Sequence, residues 1–197
     1  MSEKKIPVKE LVFSEVEGES GVKTIAFVDA PAIMVNWVAF AKEKEFKVCF
    51  ADESKGIILS PLAIPDLPIP RKDPVTGEPF MVKMSAETIS EIQYRWVKEG
   101  RQNFANEMHD ENKPIDGVTW FANFQSDGVN ILNPPAFEDL PIGTMFVMGK
   151  INNPEIKAKI NDGTYKGISL EGFFNMDEST PLDPQQIEAI TESILKF

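Results

Sequence analysis

One cysteine and one histidine are all that the 197 residues contain of either type. A lone Cys49 cannot close an internal disulfide, and with a lone His109 it cannot supply the nitrogen and sulfur ligands of a zinc site. The neighbours Phe46-Lys47-Val48-Cys49-Phe50 read as a strand in which the thiol serves as a small apolar residue, and a reducing cytoplasm is its natural setting. Positive charge is also scarce, since 20 Lys and Arg face 31 Asp and Glu for a formal net charge of −11. Nucleic acid is thereby excluded as a direct partner, because duplex binding depends on cations that displace counterions from phosphate.

Other absences narrow the field further. No apolar run reaches the roughly 20 residues of a membrane span. Met1-Ser2-Glu3-Lys4-Lys5 leads into no apolar signal segment, so the expectation is a soluble, intracellular chain with no membrane partner. No glycine-rich phosphate loop and no paired Cys motif is present, and no cofactor or metal is expected. Internal repeats and low-complexity tracts are missing too. Carboxylate pairs are plentiful, but 31 acidic residues make such pairs expected by chance.

What is present suits one substantial core, at 42% hydrophobic residues. Segments 8–16, 23–28, 35–40, 46–50 and 56–64 are rich in Val, Ile and Phe and are bounded by turn formers, which predicts strands in an antiparallel sheet or barrel. Four prolines between positions 65 and 74 predict a long surface loop. A helix is predicted from Ser85, a plausible N-cap, to a stop at Gly100, with Ile89, Ile92 and Trp96 on one face. Strands near 103–109, 117–124 and 145–151 follow, then a short helix over 154–161 and a final strand around Ser169. Asp183 and Pro184 start a last helix whose apolar stripe is Ile187, Ile190, Ile194 and Phe197.

The chemistry centres on two residues. Imidazole is the side chain suited to proton transfer near neutral pH, and Ser169 sits in Lys166-Gly167-Ile168-Ser169-Leu170-Glu171-Gly172. Strand alternation sets Ile168, Leu170 and Gly172 on one face and Ser169, Glu171 and Phe173 on the other. Ser169 and Glu171 then open into one cleft, about 7 Å apart along the strand. The segment lacks the G-x-S-x-G strand-to-helix elbow of the α/β-hydrolases.

An ordered set of segments carries a family resemblance. It runs through Thr24-Ile25-Ala26-Phe27-Val28-Asp29-Ala30-Pro31-Ala32, Lys55-Gly56-Ile57-Ile58-Leu59-Ser60-Pro61 and Met84-Ser85-Ala86-Glu87-Thr88-Ile89. It continues through Met108-His109-Asp110, Pro114-Ile115-Asp116-Gly117-Val118, Gly143-Thr144-Met145-Phe146-Val147-Met148-Gly149-Lys150 and Ile156-Lys157-Ala158-Lys159-Ile160-Asn161-Asp162-Gly163 to the Ser169 strand. In this order, over most of residues 22–175, the chain resembles the phage prohead (capsid maturation) serine proteases of the XkdF-like branch, which are related to the herpesvirus assemblins.

The resemblance implies an α+β, mostly β fold, a small antiparallel barrel-like sheet with peripheral helices. A protease-like domain would span 1–176, with N-terminal strands in 22–50, the main helix at 85–100 and the catalytic strands in 103–176. A C-terminal linker and helix would occupy 177–197. The implied activity is a serine endopeptidase, with Ser169 as nucleophile and His109 as general base, that processes major capsid protein, scaffold protein and itself in the assembling procapsid in the host cytoplasm. A homo-oligomer stays open. Where the family places a Glu or His as third member, this chain has Thr24; Glu171 is the preferred substitute, with Asp29, Asp116 and Asp110 as alternatives and a Ser-His dyad as a further option. The competing class is a non-catalytic capsid-assembly or scaffold-like protein that retains the protease fold.

Overall fold

The computed structural model describes residues 5–14, 16, 20–30, 50–52 and 54–195. Twelve strands and three α-helices occur among them. In chain order they are β1 (Ile6–Val12), β2 (Gly21–Val28), β3 (Phe50–Asp52), β4 (Ile57–Ala63), β5 (Ile69–Lys72), β6 (Pro79–Lys83), α1 (Ala86–Lys98), β7 (Ala105–Glu107) and β8 (Asp110–Pro114). There follow β9 (Val118–Gln125), β10 (Met145–Ile151), α2 (Pro154–Asn161), β11 (Gly167–Phe173), β12 (Asn175–Leu182) and α3 (Pro184–Leu195). The expected strand at 35–40 and Cys49 lie outside the described residues.

The fold is α+β and mostly sheet, but the sheets do not close into a barrel. Three four-stranded sheets form, in the orders β12-β1-β6-β5, β3-β4-β10-β9 and β11-β2-β7-β8. Nor is the pairing purely antiparallel: β1 with β6 and β2 with β7 run parallel. A parallel pair needs a crossover, and the connection from β2 to β7 passes through α1 before it returns.

Two segments are strands where composition predicts none. Residues 65–74, expected as a surface loop, contain β5, and Leu67 is fully buried. β5 holds Pro70 yet pairs with β6, and it can do so because it is an edge strand, where a missing N–H costs no ladder bond on the open side. Residues 177–182, expected as a linker, belong to β12, which pairs with β1 along its length.

The helices follow local chemistry closely. Ser85 Oγ accepts the Thr88 N–H and caps α1, while Ile89, Ile92 and Trp96 are its buried residues. These join Phe27, Trp120, Ile156 and Ile168 in the main core. Asn153 caps α2 by accepting the N–H groups of Glu155 and Ile156. In α3 the buried face is Ile187, Thr191 and Leu195, so the covered stripe is rotated from the expected one, with Ile190 and Ile194 half-buried and Phe197 outside the described residues. Ile187 packs with Val8 and Met81, and Leu195 with Ile64, Leu67 and Phe146, which docks this helix on its own domain.

Candidate active site

The sheet β11-β2-β7-β8 gathers the polar residues of interest. Ser169 of β11 lies in register with Ala26 of β2, which in turn is in register with Asn106 of β7. One step along, Glu171 faces Thr24. Thr24 reaches that position through a bulge, since Gly172 pairs with Val22 and Lys23 is skipped. The extra residue resets the alternation of β2, so that Val22, Ile25 and Phe27 face the core while Thr24 and Ala26 align with Glu171 and Ser169. Only glycine fits on the β11 side of the bulge: a Cβ at Gly172 would stand 2.6 Å from the Gly21 carbonyl oxygen and 2.7 Å from the Phe174 ring.

His109 arrives from a tight turn. Glu107 at the end of β7 pairs with Asp110 at the start of β8, leaving Met108-His109 as a two-residue loop with φ of 52° and 60°. This is the primed hairpin geometry that Asn and Gly normally occupy, and each side chain held there costs about 1–2 kcal/mol. The Met108 N–H donates to the Phe27 carbonyl at 3.0 Å and ties the turn to β2. Non-glycine residues kept in such a conformation cluster at functional sites.

The turn carries the imidazole to Glu171. His109 Nδ1 stands 3.4 Å from Glu171 Oε2, and the same oxygen accepts from Asn106 Nδ2 at 2.8 Å. His109 is 40% exposed and Glu171 only 16%, so the carboxylate sits beneath the ring with its orientation held by Asn106. Lys23 hydrogen-bonds Glu111 of β8, and that bond and charge, reinforced by the nearby negative charge of Glu171, raise its pKa. Two buried polar atoms flank the carboxylate without a hydrogen-bond partner, Thr24 Oγ1 and Asn106 Oδ1. Each such atom costs about 1–3 kcal/mol.

Ser169 is 5% exposed and makes no hydrogen bond to His109. Of the carboxylates weighed as third member, only Glu171 contacts the imidazole. Asp29 is exposed at the end of β2, and Asp116 lies in the turn before β9, where its backbone carbonyl accepts from Asn153. Asp110 accepts the Asn112 N–H and pairs with Lys113, which lowers its pKa through local turn hydrogen bonds. Asn106 carried no signal in the sequence, because an Asn in a short strand reads as a surface residue.

A second ionic group anchors the root of the turn. Glu107 pairs with Lys159 of α2 at 2.7 Å, and Lys159 also reaches Glu155. The hydrogen bond from Lys159 holds the Glu107 carboxyl below its ordinary 4.5, and the same contact raises the Lys159 pKa. Tyr165 is buried beside them and pushed up to about 12, chiefly by burial. A carboxyl with a lowered folded-state pKa contributes stability that is present above 4.5 and is lost as pH falls through the lower folded value. Acid titration of wild type against Glu107→Gln, followed by thermal unfolding, should therefore show a shallower acid loss in the variant. Equal slopes below pH 4.5 would contradict the assignment.

Among the described residues no group of three or more His, Cys, Asp or Glu is placed to hold a metal, and no helix is long and apolar enough to cross a membrane. No protein-family model matches the chain, and neither a curated protein nor a solved structure matches it.

Proposed function

We propose that the chain is a serine endopeptidase of the capsid-maturation type, in which Ser169 is the nucleophile, His109 the general base and Glu171 the positioning carboxylate. The observation that supports this reading is the contact of His109 Nδ1 with Glu171 Oε2, two residues from Ser169 on one strand. A carboxylate on Nδ1 fixes the tautomer that leaves Nε2 as the basic nitrogen and stabilises the imidazolium formed later. Ser169 Oγ would then attack the scissile carbonyl as Nε2 takes its proton. The proton passes to the leaving amine, and water releases the acyl group by the reverse sequence.

In this reading the substrates are major capsid protein, scaffold protein and the chain itself, inside the assembling procapsid. In this reading the ring and the hydroxyl close up when substrate binds, as catalytic hydrogen bonds commonly do, because Ser169 makes no hydrogen bond to His109 in this structure. A second reading, a non-catalytic capsid-assembly protein with the protease fold, is favoured by the burial of Ser169 and its missing bond to His109. Co-expression with a candidate capsid protein separates the two: cleavage by wild type that disappears in Ser169→Ala supports the enzyme, and identical intact products from both support the assembly protein.

The role of Glu171 has its own test. Glu171→Gln keeps the shape and loses the charge, so kcat should fall by about 10²–10⁴ with KM little changed. The pH–rate profile should be altered, and Asp29→Asn should leave both parameters alone. A full rate in Glu171→Gln with loss in Asp29→Asn would transfer the role to Asp29.

A further inference from the structure

A cavity of about 470 Å³ opens between β11 and the sheet that holds β1, β5 and β6. Its walls are mostly apolar, with Leu62, Val82, Ile168, Leu170 and Phe174 among them, and Ser169 lines it as well. Neither His109 nor Glu171 lines it. On its solvent side stand Phe173 and Met176, which are 42% and 49% exposed, so apolar surface continues out to the opening. The volume falls within the range of about 300–1,000 Å³ usual for small-molecule pockets.

Two cations from edge strand β5, Arg71 and Lys72, also line this cavity. Arg71 donates from Nη1 to the carbonyl of Pro70, and among the described residues neither it nor Lys72 makes an ion pair. Arg95 and Arg101 each pair with a glutamate, Glu91 and Glu99, whereas Arg71 has no carboxylate partner among the described residues. Protein crowds its guanidinium enough that burial lowers its pKa, although the side chain keeps contact with water. A partly desolvated guanidinium offers a planar fork of donors matched to a carboxylate.

From these features we infer that the cavity is a binding site for an amphipathic monocarboxylate, its apolar chain against Leu170 and Phe174 and its carboxylate on Arg71, with Lys72 adding positive charge at the opening. The apolar walls supply affinity by removing hydrocarbon from water, and the guanidinium selects the head group. Ser169 borders this cavity, but the groups that recognise the ligand, Arg71, Leu170 and Phe174, hold no place in the proposed catalysis, so the site stands without the protease reading.

Titration calorimetry of the full chain with decanoate tests the assignment, with decyltrimethylammonium as a probe of equal chain length and opposite charge. Saturable one-to-one binding of decanoate, at least about tenfold tighter than of the cation, is expected. Arg71→Gln, at an exposed position, should preserve thermal stability and weaken decanoate about tenfold or more while leaving the cation unaffected. Leu170→Trp should block both by filling the cavity. Equal binding of the two probes, decanoate binding indifferent to Arg71→Gln, or no saturable decanoate binding at millimolar concentration would each overturn the inference.

Discussion

Under the proposed serine mechanism, Ser169→Ala should abolish peptide-bond cleavage while leaving the fold intact. Loss of the nucleophile in a Ser-His mechanism lowers kcat by at least about a thousandfold, because the residual rate comes from binding and electrostatics alone. Stability should change by less than about 1 kcal/mol, since among the described residues Ser169 Oγ has no hydrogen-bond partner to strand. His109→Ala should be as damaging, because it removes the base that would take the serine proton. The ring is 40% exposed, so little packing is lost with it. Self-processing during expression, followed by mass spectrometry, reads both variants at once. Undiminished cleavage in Ser169→Ala would eliminate the serine mechanism.

Phe27→Ala is the substitution expected to cost the most stability. Phe27 is fully buried near the C-terminal end of β2, with its ring centroid 5.8 Å from that of Trp120 and 5.6 Å from that of Tyr165. Truncation leaves a cavity bounded by rigid rings that cannot collapse into it, and such changes cost about 3–5 kcal/mol. Against a typical total of about 5–15 kcal/mol, that is enough to populate unfolded chain near physiological temperature. Urea denaturation should show the midpoint fall with little change in slope. A loss below about 1 kcal/mol would mean that the core beneath β2 is far more plastic than its packing implies. The substitution also reaches the site, because β2 lies between β11 and β7 and carries the register that sets Glu171 against His109.

Legibility differed from element to element for physical reasons. The α1 segment could be read because its cap, apolar face and glycine stop are all local: Ser85 bonds Thr88, the buried residues recur at helical spacing, and Gly100 takes φ 69°. The β11 strand was legible from alternation, with Ile168 buried in the core and Leu170 packed against it. By contrast, Asn-Met-Asp-Glu-Ser-Thr-Pro-Leu in β12 has no apolar alternation and stays largely exposed. It is a strand because β1 offers it a ladder of backbone hydrogen bonds, and side-chain composition records no such offer. Pro70 of β5 misled for a related reason, since an edge strand tolerates what a central one does not.

By itself the amino-acid sequence determined the mixed, sheet-rich class, the capped helices, the exclusion of an internal disulfide, and the short roster of groups able to do acid–base work. Each of these depends on residue type or on spacing within about two turns of chain. Tertiary structure decided that the sheets stay open, that two strand pairs run parallel, and that Glu171 rather than Asp29 or Asp116 meets the imidazole. That contact joins residues 62 positions apart and requires a bulge at Lys23, a strained turn at Met108-His109 and a shared partner in Asn106. None of these leaves a mark in local composition, because each arises from how separate strands are brought into register.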